Sequence, residues 1–280
     1  MGTLERRTWK RTGPSGPQLS YAVSRAAAPK AAVGIVHGYA EYGERYAPTM
    51  ALWAERGLTS VCFDLRGHGR SEGTRGHVLS FQEYLDDFRE LDAMLDAEAK
   101  GLPRLLFAHS FGAVVSLKGL LAGIGSWKAL ALSEPYLGLA LEVPGIKKFA
   151  GEVASKLFPS LGLPSGLTGA QMTTSSVAAQ AHDTDPLIFG EARARWFTET
   201  LAAQAEIEAR AREITLPLLL LFATDDPVAK RETARRFFDG CGSSDKTWES
   251  LEGLRHEPLN EPEHGPRIAA RIADFLLAHG

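Results

Sequence analysis

The sequence predicts an α/β protein in which a mostly parallel central sheet is flanked by helices and interrupted by an inserted, mainly helical segment. Three observations support this fold class. Short apolar runs suited to buried strands alternate with runs of helix length, as in βαβ units. The alternation stops between residues 134 and 214 and then resumes. The 280 residues, 44% hydrophobic and 23% charged, suit one globular domain that carries an insertion.

The first part of the chain supplies most of the predicted sheet. Residues 8–11 and 18–23, on either side of a glycine–proline turn, predict a leading β-hairpin. After the hairpin we predict, in order, a strand at 32–37, a helix at 47–56, a strand at 59–64, a helix at 80–99, a strand at 103–108, a helix at 113–121 and a strand at 128–133.

The regular pattern returns after the insertion with a strand at 217–223, a helix at 230–239, a strand at 246–251 and a last helix at 265–279. Residues 134–214 are instead rich in alanine, serine and glycine, with helix-forming patches. We therefore divide the chain into a core made of residues 1–133 and 215–280, and a helical cap at 134–214.

Composition and charge exclude several classes of protein. A net charge of −3 gives no reason to expect a nucleic-acid partner. The two cysteines, Cys62 and Cys241, form neither a disulfide framework nor a metal-ligand pattern. The longest apolar run, 216–223, is too short to span a bilayer, and no apolar stretch follows the charged start of the chain. We expect a cytoplasmic protein.

Residues 108–112 are suited to hold a serine at the tip of a strand-to-helix turn. In such a nucleophile elbow the serine backbone is strained by on the order of 1 to 3 kcal/mol, and its neighbours two residues away must be small. Gly112 satisfies this requirement and Ala108 approximates it. Ser110 is therefore a candidate nucleophile, and the alternative is an ordinary strand–turn–helix junction with an exposed serine.

A serine nucleophile needs a base, and the base needs an orienting acid. His256 follows the strand at 246–251, and Asp225 and Asp226 follow the strand at 217–223. Glu134, after the strand at 128–133, is a further candidate acid. Because ligands bind at the carboxyl ends of parallel strands, we expect these residues to gather at one edge of the sheet.

Five separated segments resemble the α/β-hydrolase superfamily and, within it, the serine hydrolases of the monoacylglycerol lipase and lysophospholipase-like group. They occur in the order found in the family and cover most of the chain outside the cap. The segments are 36–39 with Glu41 and 45–46, then 64–71, 109–112, 225–228 and 256–261. The resemblance implies the α/β-hydrolase fold.

The resemblance assigns a role to each of three side chains. It implies that Ser110 is the nucleophile, His256 the general base and then acid, and Asp226 the partner of the imidazole. Asp226 is preferred because Ala223 occupies the place of a family glycine that stands three residues before the catalytic aspartate. Asp225 is the alternative acid, and Glu134 ranks behind both.

The resemblance also implies an oxyanion hole formed by the backbone N–H groups of Tyr39 and Phe111. Gly38 would let the loop that carries Tyr39 approach the serine closely. We place Gly38 and Tyr39 in the substrate site. The Tyr39 side chain is interpreted as incidental to the oxyanion hole, with lining of an acyl pocket as its alternative role. The cap residues that contact substrate are not assigned.

The remaining polar residues are interpreted as structural. His37 and His109 are expected to support loops, and His68 and His77 to brace the glycine-rich loop at 65–76. The run 182–185 contains one histidine and two aspartates, but adjacent ligands on one loop cannot easily wrap a metal, so we expect no metal and no cofactor. Three carboxylates of the 80–99 helix are expected to form a solvated face: Asp87, Glu90 and Asp92.

In the cap, helical spacing places five apolar residues on one face with three lysines interleaved. The apolar residues are Ile146, Phe149, Ala150, Val153 and Leu157, and the lysines are Lys147, Lys148 and Lys156. We favour a helix packed over the core. Transient contact with a membrane or micelle surface is the alternative, which would make the protein peripheral to a membrane. In either case apolar cap residues above the serine would suit an acyl chain.

The sequence hypothesis is a carboxylic ester hydrolase that acts on a monoacylglycerol, a lysophospholipid or a similar acyl ester through an acyl-enzyme. Thioesterase, small-ester esterase or peptidase activity with the same triad is the alternative. A catalytically silent α/β-hydrolase that serves as a receptor or scaffold is the interpretation from a different class.

Overall fold

An eight-stranded sheet forms the centre of the computed structural model, which describes residues 4–10, 16–140 and 153–280. The strands are β1 (Leu4–Trp9), β2 (Leu19–Ser24), β3 (Ala31–Val36), β4 (Leu58–Phe63), β5 (Arg104–His109), β6 (Leu130–Ser133), β7 (Gly162–Pro164), β8 (Glu191–Arg193), β9 (Leu218–Ala223) and β10 (Lys246–Leu251). The order across the sheet is β1-β2-β4-β3-β5-β6-β9-β10, and β7 pairs separately with β8. The pairs β1–β2 and β2–β4 are antiparallel, and all other pairs in the large sheet are parallel.

Helices cover both faces of this sheet. They are α1 (Ala47–Glu55), α2 (Gln82–Glu98), α3 (Phe111–Leu121), α4 (Gly169–Met172), α5 (Ser176–Thr184), α6 (Ala194–Ala209), α7 (Arg231–Gly240) and α8 (Gly265–Ala278). Short 3-10 turns lie at Gly43–Tyr46, Ala211–Glu213 and Pro258–Asn260. Trp53 of α1 and Ile272 of α8 belong to the core on one face, and Phe88 of α2 and Leu117 of α3 to the core on the other.

The two cores explain why the strands read as continuous apolar runs. Along β3, Ala32 and Val36 join one core while Val33 and Ile35 join the other. Successive side chains of a strand point to opposite faces, so a strand covered on both faces needs an apolar residue at every position. The predicted α/β architecture is confirmed.

The leading hairpin begins earlier than the predicted strand at 8–11. β1 starts at Leu4 and pairs with β2 from Leu4 opposite Ser24 to Trp9 opposite Leu19. The added residues include the charged Glu5, Arg6 and Arg7. β1 is an edge strand whose middle residues are exposed, so these charges remain in water. Residues 11–15, which include most of the predicted turn, lie outside the described residues.

The segment between β6 and β9 contains α4, α5, α6 and a helical stretch at 153–157, and also the β7–β8 pair, which the sequence did not predict. The predicted amphipathic helix falls largely on residues 146–150, outside the described residues. Val153 and Leu157, which belong to that pattern, are 41% and 66% exposed. At these two positions the expected packing over the core is wrong.

The solvated carboxylate face expected on the 80–99 helix is wrong at Asp87. This side chain is fully buried, and its carboxylate accepts hydrogen bonds from Arg66 Nε at 2.9 Å and Nη2 at 2.8 Å. The pairing crosses from the glycine-rich loop to α2, so helical periodicity alone could not reveal it. Glu90 also has a partner, since it accepts from the indole N–H of Trp9 at 2.7 Å.

Candidate active site

Ser110 lies in the elbow that the sequence predicted, between the end of β5 and the start of α3. Its φ of 51° and ψ of −120° are strained for a residue other than glycine. Its backbone N–H donates to Ser133 O at 3.0 Å. A Cβ on Gly112 would lie 2.2 Å from Val36 O, so only glycine lets α3 begin this close to β3. Ala108 is fully buried at the end of β5, two residues before Ser110.

His256 joins Ser110 to Asp226. Its Nε2 lies 2.8 Å from Ser110 Oγ, and its Nδ1 lies 2.7 Å from Asp226 Oδ2. Burial disfavours the imidazolium, but the facing carboxylate more than compensates, so the pKa of His256 is raised above its ordinary value. The geometry is that of a serine activated by a base whose tautomer is held by an acid.

Asp226 is almost surrounded by donors. Burial alone would raise its pKa, but the imidazole and two backbone N–H groups lower the pKa below its ordinary value. Those N–H groups belong to Val228 and Ala229, at 2.7 and 3.1 Å from Asp226 Oδ1. The carboxylate is therefore ionised and fixed in orientation.

The two alternative acids lie elsewhere. Asp225 is exposed beside the turn that carries Asp226. Glu134 is fully buried, and its Oε2 accepts from the backbone N–H of Ala223 at 2.8 Å. Burial and the nearby Asp226 charge raise the pKa of Glu134 well above its ordinary value.

The two residues whose backbone N–H groups are assigned by resemblance to an oxyanion hole, Tyr39 and Phe111, line the same cavity as Ser110. A Cβ on Gly38 would lie 3.2 Å from Ser110 Cβ, which shows how closely this loop approaches the serine. Phe111 is the first residue of α3, and the first N–H groups of a helix have no acceptor within it. In the described part of the chain neither the Tyr39 nor the Phe111 N–H has a hydrogen-bond acceptor.

A buried ionic network, which the sequence analysis missed, connects the Tyr39 loop with the His256 loop. Glu41 accepts from the Gly38 backbone N–H at 2.6 Å and from Tyr46 Oη at 2.8 Å. Arg45 lies between Glu41, at 2.9 Å, and Glu257, at 2.7 and 2.5 Å. Glu41 and Arg45 are four residues apart, but Glu41 precedes the 3-10 turn at Gly43–Tyr46, so helical spacing gave no signal for this pair.

Glu257 completes this network next to His256. Burial would raise its pKa, but the Arg45 guanidinium holds the pKa of that carboxyl well below its usual range. Asn260 adds a hydrogen bond at 2.9 Å. A buried charge arrangement of this kind requires every partner to be present.

A cavity of about 250 Å³ opens beside Ser110. Most of its lining is apolar and comes from the segment between β6 and β9, where no substrate residues had been assigned. These side chains are Tyr136, Leu139, Leu167, Met172, Ile188, Phe189, Trp196 and Phe197. Tyr39 lines the same cavity, and the polar side chains of the lining are those of His109, Ser110, Ser165, His182, His256 and three glutamates.

The other histidines lie where structural roles were expected. His37 Nε2 accepts from the Leu65 backbone N–H at 2.9 Å, and its Nδ1 lies 2.7 Å from Gly38 O. His68 Nδ1 lies 2.9 Å from Arg66 O, and burial lowers the pKa of His68 to about 3. Burial likewise lowers the pKa of His109 to about 3. Both side chains are uncharged at neutral pH.

The prediction that the run 182–185 lies on a loop is wrong, because these residues form the end of α5. Its aspartates bind protein donors. Asp183 accepts from the Gly169 backbone N–H at 2.6 Å, and Asp185 accepts from Tyr42 Oη at 2.7 Å. The second bond ties α5 to the loop that carries Tyr39.

Comparison with known proteins gives the family. A family model described as serine aminopeptidase, S33, matches residues 27–263. The chain belongs to this family of α/β hydrolases. Phospholipase YtpA of Bacillus subtilis is 33% identical over 248 residues, which cover 85% of this chain and 92% of that protein. A monoacylglycerol lipase of Mycolicibacterium smegmatis is 29% identical over 253 residues, covering 90% of this chain and 89% of the relative.

Solved structures agree with this assignment. The crystal structure of Paleococcus ferrophilus monoacylglycerol lipase has a TM-score of 0.84 at 26% identity and covers 94% of this chain and 99% of that one. A soluble variant of monoglyceride lipase from Saccharomyces cerevisiae, solved with a substrate analogue, has a TM-score of 0.85 at 18% identity, covers 100% of this chain and 96% of that one, and shares the fold.

The predicted superfamily and fold are confirmed, and the chain is a serine hydrolase similar to monoacylglycerol lipases and phospholipases. Within the described residues we find no helix whose length and apolar character would let it cross a bilayer.

Proposed function

We propose that Ser110, His256 and Asp226 hydrolyse the carboxylic ester of a monoacylglycerol, a lysophospholipid or a similar acyl ester. The observation that carries this proposal is the hydrogen-bonded chain from Asp226 through His256 to Ser110 Oγ, at the wall of an apolar cavity. An apolar cavity with few polar groups suits an acyl chain whose ester lies at the serine.

The chemistry proceeds in two halves. Ser110 Oγ attacks the ester carbonyl carbon while its proton passes to His256 Nε2. The tetrahedral oxyanion accepts hydrogen bonds from the N–H groups of Tyr39 and Phe111, each worth about 10² to 10³ in rate. Collapse expels the alcohol, which takes the proton from His256. Water, deprotonated by His256, then attacks the acyl-enzyme. The second tetrahedral intermediate collapses as His256 returns the proton to Ser110 Oγ, which releases the fatty acid and free Ser110.

The charges around the cavity favour a neutral acyl ester over a peptide with a free amino terminus. Recognition of an ammonium group would need an uncompensated carboxylate near the serine. Arg45 pairs with Glu41 and Glu257, and Arg193 lies 3.0 Å from the carboxylate of Glu191. Each acidic side chain of the lining is thus already ion-paired with an arginine, and Arg45 is shared by two of them, although the family model carries an aminopeptidase description.

We further propose that residues 134–214 act as a cap and that the outer surface of this cap contacts a lipid surface. Several large apolar side chains there are exposed, including Leu157 at 66%, Phe158 at 64% and Leu163 at 54%. Exposed apolar groups concentrated on one segment mark an interaction surface. Leu157→Glu should reduce cosedimentation with phosphatidylcholine vesicles, while hydrolysis of a water-soluble ester should remain. Equal cosedimentation of both proteins would contradict this contact.

The triad proposal is tested with Ser110→Ala and a matched control. Ser116→Ala makes the same change further along α3, at a buried hydroxyl without a hydrogen-bond partner in the described residues. The first variant should lose both monoacylglycerol hydrolysis and fluorophosphonate labelling, and the control should keep both. Profiling glycerol esters, lysophospholipids and thioesters over short to long acyl chains separates the esterase from the thioesterase alternative. Labelling of the Ser110→Ala protein would refute the assignment.

A further inference from the structure

The side chain of Tyr39 joins the loop after β3 to the segment around β8. Its hydroxyl lies 2.9 Å from Gly76 O and 3.2 Å from Glu191 O, and it accepts from the Arg193 backbone N–H at 3.4 Å. A hydroxyl has one proton, so it donates to one of the two carbonyls at a time. The Tyr39 side chain therefore has a structural task beyond the incidental role first assigned to it.

Trp196, near the start of α6, packs against both residues whose N–H groups are proposed to form the oxyanion hole. Its ring stacks on Tyr39 with centroids 3.7 Å apart and 22° between the planes, and it meets Phe111 edge-on at 5.3 Å. The side chain is only 5% exposed. Its indole N–H has no acceptor among the described residues, so ring packing holds it.

Two more contacts link the same loop to the cap. The Phe189 backbone N–H donates to Ala40 O at 3.4 Å, and Tyr42 Oη donates to Asp185 at 2.7 Å. Ala40 has a φ of 68°, which is unfavourable for a residue with a side chain. Such a conformation persists only where the surroundings hold it, and here part of those surroundings belongs to residues 185–196.

We propose that Trp196 and the Tyr39 side chain are positioning residues that make the oxyanion hole depend on the seating of residues 185–196. The inference rests on the proposed function, since it concerns the N–H groups of the same site. When this segment is seated, ring stacking and the Tyr39 hydroxyl fix the direction of the Tyr39 N–H. When it moves away, the N–H is no longer held toward Ser110. Ester hydrolysis is thereby coupled to cap position.

The kinetic test uses p-nitrophenyl acetate, whose acetyl group is too short to fill the acyl cavity, and a long-chain p-nitrophenyl ester. If Trp196 only lined the cavity, Trp196→Leu would affect the long ester alone. We expect kcat for both esters to fall by a similar factor, roughly tenfold to a hundredfold, because loss of a whole oxyanion donor costs about 10² to 10³. Tyr39→Phe, which keeps the ring, should show a smaller loss of kcat.

Phe197→Leu is the contrasting variant, because Phe197 lines the same cavity. In the described part of the chain the rings packed on Tyr39 are those of His68, Phe111, Phe189 and Trp196. The Phe197 variant should therefore lose more activity on the long ester than on the acetate, mainly through KM. The same pattern in Trp196→Leu would overturn the proposal.

A second measurement needs no turnover. Hydrogen–deuterium exchange of peptides covering residues 38–46 should be faster in Trp196→Leu than in the wild type or in Phe197→Leu. Unchanged exchange overturns the coupling, as does faster exchange with an unchanged kcat for the acetate. If the wild type hydrolyses no ester, the proposed function fails and the exchange measurement still decides the coupling. Should Trp196→Leu fail to fold, Trp196→Phe and Tyr39→Phe replace it in both measurements.

Discussion

Replacing Arg45 by methionine should destabilise the protein strongly, because it removes the one cation between two buried carboxylates. The side chains of Arg45, Glu41 and Glu257 are only 12%, 6% and 7% exposed. Removing one partner of a buried ion pair costs about 3 to 5 kcal/mol, and the slight exposure favours the lower value. A loss of about 3 kcal/mol corresponds to a fall in Tm of about 6 °C for a chain of this size.

The pKa of Glu257 determines how the difference in Tm between the two proteins changes with pH. In the wild type the pKa of Glu257 is held below its usual range, so its contribution to stability is present above the unfolded-state pKa and is lost as pH falls through the folded-state pKa. Without Arg45, the largest cause that lowers the pKa of Glu257 is lost, and burial then raises this pKa. On acidification, Glu257 of the variant binds a proton, and its unpaired negative charge is removed. The difference in Tm between the two proteins should therefore narrow as pH is lowered from neutral.

The assay is thermal unfolding followed by circular dichroism across this pH range. Arg56→Met is the control, because Arg56 pairs with Asp274 at the surface, where the two side chains are 38% and 63% exposed. An exposed pair contributes about 0.5 kcal/mol. A decrease for the Arg45 variant no larger than that of the control, or a difference that widens in acid, would refute the reasoning.

Three further predictions concern the elbow and the acid. Asp226→Asn should lower kcat by a factor on the order of 10⁴, because the imidazole is no longer held in the correct tautomer. The Asp226 carboxylate also raises the pKa of His256, so the acidic limb of the kcat/KM profile should move to lower pH in this variant. An acidic limb at the same pH in both proteins would contradict this. Gly112→Ala places a Cβ 2.2 Å from a backbone oxygen and should give little folded protein, unlike Gly190→Ala, whose Cβ meets nothing within 4 Å; equal soluble yields would argue against the clash. Ala108→Val should cripple folding or activity while Ala108→Gly retains catalysis, as measured by circular dichroism and ester turnover, and a fully active valine variant would show that bulk is tolerated there.

The sequence predicted the positions that depend on local pattern. Ser110, Asp226 and His256 each follow a strand of the parallel part of the sheet, and parallel strands bring their carboxyl ends to one edge, so their proximity followed from the order of elements. Gly112 predicted the tight turn after Ser110, because only a residue without a side chain fits beside the carbonyls at the end of β3.

The positions that the sequence did not reveal depend on contacts between distant segments. Arg45 meets Glu257 across 212 residues, and Asp87 meets Arg66 across a loop and a helix turn. Periodicity describes which face of an element is apolar, but not which charged partner another element will bring. The stacking of Trp196 on Tyr39 has the same origin, since it joins the segment before β9 to the loop after β3.

The raised pKa of Glu134 matters for any experiment that removes the charge of the neighbouring aspartate. Burial is the largest cause of this rise, and the negative charge of Asp226 is the second. Asp226→Asn removes this negative charge, so the pKa of Glu134 falls. A negative charge on Glu134 then becomes less unfavourable and replaces part of the charge that Asp226 carried. The single variant thus underestimates what one fixed anion contributes, and Asp226→Asn combined with Glu134→Gln is the protein from which the anion is fully removed.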